Sequence, residues 1–401
     1  MRAYRAAWVL PVAAPPIRDG WVAIKNGRIA GVGSGPNRDA VDLGGVVILP
    51  SLVNAHTHLE LSYLRGAIPR STRFLDWIRA VMAARRQYAD PTDPVILDAA
   101  RQGIAESRAA GTGLIGDISN TLVTIALLQE AGMAAHVFHE LLGFNAPEPE
   151  ERVAIARASV DAACAGAPVV HGSLAPHAPY SVSPALLAAI RLDLDAHPHS
   201  ISTIHAAESP DEVEFLASGS GGWTTLLKEL GVWTDSWRPP GVSPIGYLQG
   251  SGYVDPRILI VHGVQCTPDD LQRLSAARAT LVSCPRSNRY VGVGDPPLAD
   301  FYASGAAVAF GTDSLASVED LNLFGELAAA RRLAPAVAAS RLLESATLTG
   351  ARALGFGGDV GSIERGKRAS LISVRLPGAV DDVEEYLLRG IQPDAIAWLD
   401  S

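Results

Sequence analysis

The chain has 401 residues, of which 48% are hydrophobic and 19% charged, and its formal net charge is -9. This composition predicts a large globular core, while the negative charge and the lack of a Lys/Arg cluster argue against nucleic acid or an anionic membrane as partner. No apolar run reaches the roughly 18 residues of a membrane span, and the N-terminus does not resemble a signal peptide, so we expect a cytoplasmic protein.

Both ends of the chain carry short strand-like segments. Residues 1–50 alternate apolar runs with turns, and the pair Asn26-Gly27 between two such runs predicts a β-hairpin. The segment 355–401 shows the same alternation of apolar runs and turns. We therefore expect residues 1–50 and 355–401 to form one small β-sandwich domain assembled from both termini.

The central segment, residues 51–354, alternates strand-like runs with helical patterns such as 94–109 and 321–333. Eight strands are predicted, near residues 53–58, 113–118, 134–142, 169–175, 202–207, 258–264, 280–284 and 307–311. This order favours an α/β protein with a (β/α)8 TIM barrel, whose active site lies at the C-terminal ends of the strands. A helical insertion at 219–252 is a candidate lid.

The first predicted barrel strand ends in His56-Thr57-His58. Residues two apart on a strand face the same side, so the two imidazoles can bind one metal ion. The spacing alone is weak evidence, because the segment from His197 to His199 repeats it in a polar loop where no strand aligns the side chains.

Residues able to bind a metal or move a proton recur after the later predicted strands. They are His177, His205, Glu208, His262 and Asp313. Taken singly, either of the histidines 205 and 262 fits a hydrogen-bonded core residue, Asp313 fits a helix cap, and Glu208 fits the first turn of a helix. Taken together, the His-x-His pair, His205 and Asp313 match a metal centre with one position left for water.

These motifs resemble the amidohydrolase superfamily, over nearly the whole chain. The segments that carry the resemblance are 50–58, 205–208, 261–263, 283–288 and 311–313. The resemblance implies one divalent metal ion, zinc or iron, with His56, His58, His205 and Asp313 as ligands. The subtype with two metals bridged by a carbamylated lysine is excluded, since Lys25, Lys228 and Lys367 all lie off the predicted barrel strands.

The His-x-x-Glu motif after strand five resembles the mononuclear branch that deaminates purines and related rings or dechlorinates triazines. The turns at 56–62 and 311–317 look closest to the 6-aminodeoxyfutalosine deaminases of menaquinone biosynthesis. The resemblance implies hydrolytic deamination of an adenosine-like nucleoside. The alternatives are deaminases of S-adenosylhomocysteine, methylthioadenosine, adenosine, guanine or cytosine, a triazine chlorohydrolase, and a metal-free binding or scaffold protein.

Such a reaction assigns catalytic roles to Glu208, His262 and Asp313. Glu208 would take a proton from water and give it to the ring nitrogen, and a dry pocket should raise its pKa for this task. His262 and Asp313 would orient the water and relay a second proton.

Substrate contacts are predicted at five positions. The resemblance nominates Glu60 and His177 for the ribose and the purine edge, although Glu60 also fits a role in orienting a metal-binding histidine. Arg286 is the candidate for a substrate carboxylate, and Asn288 and Ser314 are predicted polar contacts. The expected partner is a small nucleoside, and a homodimer is left open.

Overall fold

The computed structural model describes residues 1–35, 37 and 39–399. The strands in these residues are β1 Arg2–Val9, β2 Ile17–Lys25, β3 Arg28–Ser34, β4 Ala40–Asp42, β5 Val46–Pro50, β6 Leu52–Thr57, β7 Thr112–Ser119, β8 Ala134–Leu141, β9 Val170–Pro176, β10 Ser202–Ala206, β11 Ile258–His262, β12 Thr280–Ser283, β13 Ala307–Phe310, β14 Leu371–Arg375 and β15 Ile396–Trp398.

The helices of the same residues surround and connect these strands. They are α1 Phe74–Arg85, α2 Pro94–Ala109, α3 Thr124–Glu130, α4 Pro149–Cys164, α5 Pro184–Ala196, α6 Pro210–Ser218, α7 Gly222–Glu229, α8 Pro244–Gly250, α9 Pro268–Ala277, α10 Pro285–Val291, α11 Leu298–Ala303, α12 Leu323–Leu333, α13 Ala339–Glu344, α14 Gly350–Ala353 and α15 Val383–Leu387. None of them is both long and apolar enough to cross a membrane.

Strands β6 to β13 form the predicted (β/α)8 barrel. They are parallel and pair in chain order as two four-stranded sheets, β6 to β9 and β10 to β13. Backbone hydrogen bonds connect the two sheets at both of the seams where they meet. The His205 N–H donates to the His177 carbonyl at 3.0 Å, and the Asp313 N–H donates to the His56 carbonyl at 3.0 Å. Both seams therefore lie at residues that the sequence nominates for the site.

The sequence signals of the barrel are local and strong. Every residue of β6, β10 and β11 is buried, as expected for parallel strands covered on both faces. Five helices of the chain begin with a side chain that caps the helix, followed by proline, and this pair of residues fixes the first turn. The capping residues of this kind are Asp93, Ser183, Ser209, Ser243 and Thr267.

The terminal segments contribute one continuous sheet of seven strands. Its order is β15-β14-β5-β1-β2-β3, with β4 also pairing with β1. The predicted hairpin joins β2 and β3, where Asn26 and Gly27 have φ of 52° and 71°, the left-handed conformation that such a tight turn requires. The division into a terminal domain (1–50 with 355–401) and a barrel domain (51–354) stays a prediction, although this sheet takes strands from both terminal segments.

Candidate active site

Four side chains converge at the C-terminal ends of β6, β10 and β13. Ring nitrogens of His56, His58 and His205 all lie within 4.8 Å of one another. The Asp313 Oδ1 atom lies 3.8 Å from the His56 Nε2 atom and 3.6 Å from the His58 Nε2 atom. Three imidazoles and one carboxylate at these separations offer donor atoms that could hold a metal ion.

The donor chemistry of the cluster fits a metal ion. His56 is fully buried, and neither of its ring nitrogens has a hydrogen-bond partner in the described part of the chain. Burial holds the pKa values of His56 and His58 well below the usual range, so both rings are neutral and offer lone pairs. The His205 Nδ1 atom bonds to the His177 carbonyl at 2.9 Å, which leaves its Nε2 atom free to coordinate.

Asp313 is held in place by two hydroxyl groups. The Ser287 Oγ donates to its Oδ2 atom at 2.5 Å, and the Ser317 Oγ donates to the same atom at 3.2 Å. The Ser314 N–H donates to the Oδ1 atom at 2.7 Å. Asp313 itself has φ of 61°, a conformation uncommon for a residue with a side chain. The local backbone and these hydroxyls together aim one carboxylate oxygen at the histidines.

Glu208 and His262 lie beside the cluster as a second pair. The Glu208 Oε1 and His262 Nε2 atoms are 3.5 Å apart, and both side chains are buried. Burial, reinforced by the negative charges of Asp313 and Glu212, raises the pKa of Glu208 well above its ordinary value. Burial also lowers the pKa of His262 to about 3, so the ring is neutral.

Asn288 sets the tautomer of His262. Its amide Nδ2 donates to the His262 Nδ1 atom at 2.9 Å. Since Nδ1 accepts this hydrogen bond, the ring proton of neutral His262 sits on Nε2, which faces Glu208. Asn288 therefore acts through His262 and does not line the cavity as a substrate contact.

Glu212, on the first turn of α6, fixes the backbone that carries Glu208. Its carboxylate accepts the Glu208 N–H at 2.9 Å. Ala207 has φ of 52°, so the chain turns sharply at this point. Burial raises the pKa of Glu212 to about 7.

A cavity of about 430 Å³ opens from this cluster toward solvent. Its deep part is polar and includes His177, Glu140 and Ser314. The His177 Nδ1 atom bonds to the Ser181 hydroxyl at 2.6 Å, and Glu140 accepts from the Asn120 amide at 2.9 Å. The structure thus brings the predicted substrate residues His177 and Ser314 to the wall of the cavity.

The outer part of the cavity is walled by α1 and by the predicted lid segment, 219–252. The apolar side chains of this wall are Phe74, Trp77, Ile78, Val81, Met82, Trp223, Leu226, Leu227 and Leu230. The rings of Tyr180 and Trp223 stack with centroids 3.7 Å apart. The Arg79 guanidinium donates to Glu229 at 2.9 Å and so links α1 to α7.

Besides Asn288, two predicted substrate residues lie outside the cavity wall. Arg286 is absent from the cavity wall, because its guanidinium donates to Glu326 at 2.5 Å and to Asp320 at 2.8 Å. This is a correction to the expectation that Arg286 meets a substrate carboxylate: its charge is already neutralised by two carboxylates of the chain. The Arg286 N–H also donates to Glu326 at 3.1 Å, so the residue connects the start of α10 to α12.

Glu60 is likewise absent from the cavity wall and bonds to no histidine in the described residues. Its carboxylate accepts from the Ser119 hydroxyl and the Thr121 hydroxyl, each at 2.8 Å, and lies 3.5 Å from the Arg85 guanidinium. Both roles predicted for Glu60 are thereby corrected. The side chain organises the loop after β7, because its oxygens are fully engaged by that loop.

Several functional side chains were not predicted from the sequence. Ser287 and Glu212 position Asp313 and Glu208, and Asp117 accepts the Leu59 N–H at 2.8 Å just after the His-x-His pair. Arg86 lines the cavity at the end of α1. Only Glu212 had a local signal, since it lies one helical turn beyond Glu208.

The fold and the site define a barrel hydrolase with a metal-binding histidine and aspartate centre. Residues 47–394 match the amidohydrolase family, and the chain belongs to that family. An aminodeoxyfutalosine deaminase of Deinococcus radiodurans is 33% identical over 325 residues, covering 79% of this chain and 75% of the relative. A 5-methylthioadenosine/S-adenosylhomocysteine deaminase of Teredinibacter turnerae is 29% identical over 392 residues, covering 92% and 83%.

A solved structure supports the same assignment. The crystal structure of an adenosine deaminase from Xanthomonas campestris with bound zinc is similar to this chain with a TM-score of 0.84 and 27% sequence identity. The match covers 98% of this chain and 90% of that one. The similarity therefore includes both the barrel and the sheet formed by the termini.

Proposed function

We propose that the protein is a hydrolytic deaminase of an adenosine-like nucleoside, and that its substrate is 6-aminodeoxyfutalosine, converted to futalosine and ammonia. The observation that carries the proposal is the Glu208–His262 pair, which lies beside the metal-binding cluster at the floor of the cavity. Such a pair serves a reaction that must move protons both to and from the substrate.

The metal proposed for this site is one divalent ion, zinc or iron, held by His56, His58, His205 and Asp313. The ion would supply activation of water near neutral pH. The cluster has room for one ion, because His205 already commits its Nδ1 atom to a backbone carbonyl and cannot use it to bind a second metal beside Glu140 and His177.

The chain's own groups account for the proton transfers. Water adds to the ring carbon that bears the amino group, and Glu208 takes a proton from the water and delivers it to the adjacent ring nitrogen. The Nε2–H of His262 orients the oxygen by hydrogen bonding. The remaining proton of the added hydroxyl passes through Asp313 to the amino group, the carbonyl forms as the carbon–nitrogen bond breaks, and ammonia leaves. The buried walls limit access of bulk water to these groups.

The cavity supports a nucleoside of extended shape. His177, Glu140 and Ser181 offer polar contacts near the floor, where a base and a ribose carry their polar edges. The apolar wall from α1 and α7 offers further space for an apolar part of the substrate. The 33% identity to an aminodeoxyfutalosine deaminase favours a substrate with a bulky group on the 5′ side.

The second candidate is deamination of 5-methylthioadenosine or S-adenosylhomocysteine. The 5-methylthioadenosine/S-adenosylhomocysteine deaminase is 29% identical, and its match covers 92% of this chain, against 79% for the aminodeoxyfutalosine deaminase. Both candidates share the 6-aminopurine ring and the same proton transfers, so the distal end of the substrate distinguishes them.

An ammonia-release screen tests the proposal. Purified protein with added zinc or iron is given 6-aminodeoxyfutalosine, 5-methylthioadenosine, S-adenosylhomocysteine and adenosine, with guanine, cytosine and a chlorotriazine as further probes. We expect the highest kcat/KM on 6-aminodeoxyfutalosine. Preference for S-adenosylhomocysteine would select the second candidate, and release from guanine, cytosine or the triazine alone would contradict a nucleoside deaminase.

A further inference from the structure

We propose that Arg86 is a specificity-determining residue, which binds an anionic group at the distal end of the substrate and makes the cavity select anions over zwitterions. This inference rests on the proposed function. It adds one residue, Arg86, and an electrostatic rule, which is the preference for anionic over zwitterionic substrates. The chemical class it defines is an adenosine-like nucleoside whose 5′ side carries an apolar or aryl segment ending in a carboxylate, with no ammonium group beside it.

The cavity wall contains two cations, and they are consecutive residues. Arg85 ends α1 and Arg86 follows it. Arg85 is committed: its guanidinium donates to the Asn120 amide oxygen at 3.0 Å and lies 3.5 Å from the Glu60 carboxylate. Arg86 is exposed, and no carboxylate of the described residues forms an ion pair with it. Arg86 is therefore the cation that remains available to a ligand.

Acidic side chains are confined to the floor of the cavity. The carboxylates in its wall are Glu140, Glu208 and Asp313, each at most 7% exposed. Glu60 lies behind Arg85, is 5% exposed, and has its oxygens engaged by the loop after β7. Among the described residues that line the cavity, the outer wall thus offers positive charge and no exposed carboxylate. A distal carboxylate gains a partner there, whereas a distal ammonium meets none.

The wall between the floor and Arg86 sets the nature of the connecting segment. Trp77, Val81 and Met82 on α1 face Trp223 and Leu226 on α7 across the cavity. Near the mouth, the apolar wall includes Leu142 and Leu230, which are 40% and 37% exposed. Such exposed apolar side chains at an opening are suited to cover an apolar segment of a ligand. The carboxylate then emerges next to Arg86, at the rim.

The test compares a carboxylate with its neutral ester. The probes are 6-aminodeoxyfutalosine, its methyl ester, and S-adenosylhomocysteine as the zwitterion. We expect Arg86→Met to lower kcat/KM for the acid by about 10-fold and to leave the ester within about 2-fold, since only the acid loses a charge-assisted hydrogen bond. Arg86→Lys should restore part of the loss, because it keeps the charge without the planar fork.

The matched control is Arg73→Met at the opposite end of α1. Arg73 is exposed and lies outside the cavity wall, so both probes should react as in the wild type. High salt gives a second measurement: near 1 M ionic strength the screening length is about 3 Å, and the wild-type preference for acid over ester should shrink toward that of Arg86→Met.

Every outcome decides the inference. Equal losses on acid and ester, or no loss on either, would show that Arg86 does not bind the anion, and a wild-type preference for S-adenosylhomocysteine would contradict the electrostatic rule. If no nucleoside releases ammonia, the proposed function fails. Isothermal titration of the acid and the ester against wild type and Arg86→Met still measures the charge preference in that case, so the two failures remain distinguishable.

Discussion

Glu208 differs from the metal ligands in what surrounds it. Its carboxylate lies 3.5 Å from the His262 Nε2 atom, whereas the Asp313 carboxylate lies 3.8 Å and 3.6 Å from the Nε2 atoms of His56 and His58. Burial raises its pKa, whereas burial makes the histidine ligands neutral. The same dry environment thus makes the Glu208 carboxylate a stronger base for the proton of water and keeps the imidazoles neutral, which separates proton transfer from metal binding at the level of single residues.

Glu208→Gln is expected to retain metal and lose turnover. The amide keeps the shape and some hydrogen bonds of the carboxyl group but cannot accept and return a proton, so kcat should fall by roughly 10²–10⁴. Metal content by elemental analysis and steady-state ammonia release on the same preparation measure the two properties. Loss of metal, or turnover near that of the wild type, would contradict the role of Glu208.

Ser287→Ala is expected to weaken metal retention. The Ser287 hydroxyl holds the Asp313 Oδ2 atom, and removal of a group that orients a ligand typically costs 10- to 100-fold in metal affinity. Competition with a chromophoric chelator measures the change. Ser283→Ala is the matched control, since the Ser283 hydroxyl is buried without a hydrogen-bond partner in the described residues. Equal affinity in the two variants would show that Ser287 does not position Asp313.

At the scale of elements, the barrel strands could be predicted closely from the sequence, and the side-chain contacts could not. The eight predicted strands agree with β6 to β13 within two residues at each end, because buried parallel strands are continuous apolar runs. The helix predicted at 94–109 is confirmed by α2, and that at 321–333 begins two residues late because Asn322 caps α12 through the Phe324 N–H. Element boundaries are set by local signals.

The substrate residues depend on contacts between distant parts of the chain. Arg286 is neutralised by Glu326, which lies 40 residues further along, and Glu60 bonds to a loop about 60 residues away. No local pattern in the sequence indicates that residues so far apart in the chain form these contacts. The cluster of candidate metal ligands was predictable because its members lie at the C-terminal ends of three strands, β6, β10 and β13, and closure of the barrel brings strand ends together. Arg86 was missed because its position depends on how α1 packs over the cavity.

Helix α6 carries a group whose ionisation should make stability depend on pH. The pKa of Glu212 is about 7 in the folded chain, against an ordinary value of 4.5. Between these values the folded protein holds a proton that the unfolded chain has released, so the free energy of unfolding should fall as pH rises, by up to about 1.4 kcal/mol per pH unit. Below pH 4.5 the contribution of protonated Glu212 to the free energy of unfolding is fully present, and above about pH 7 it is lost.

Glu212→Gln removes this dependence, because the amide is neutral throughout. We expect the Tm of wild type relative to Glu212→Gln to fall as pH rises from about 5 to about 7, following the sign of the raised pKa. Glu214→Gln, an exposed position on the same helix, should keep a constant Tm difference from wild type. A constant difference for Glu212→Gln as well would show that Glu212 does not titrate in this range.

At the scale of the whole molecule, the candidate metal ligands come from both halves of the barrel. His56 lies on the first sheet of the barrel and His58 just after its strand β6, whereas His205 lies on the second sheet and Asp313 follows its last strand, so both junctions between the sheets lie at these residues. An ion bound by all four side chains would therefore connect strands more than 250 residues apart in the sequence, and its binding free energy would add to the stability of the closed barrel.

Metal removal is accordingly expected to destabilise the entire chain. A ligand present at 100 to 1,000 times its Kd stabilises the folded state by about 2.7–4.1 kcal/mol, so a chelator should lower the Tm by several degrees and added zinc or iron should restore it. Elemental analysis should find about one equivalent of metal per chain. Asp313→Ala should show little metal-dependent change in Tm, whereas His199→Ala, in the loop where His-x-His spacing recurs without the cluster, should respond as the wild type does. Two tightly held ions per chain, or an Asp313→Ala variant that regains full stability with metal, would contradict the mononuclear centre.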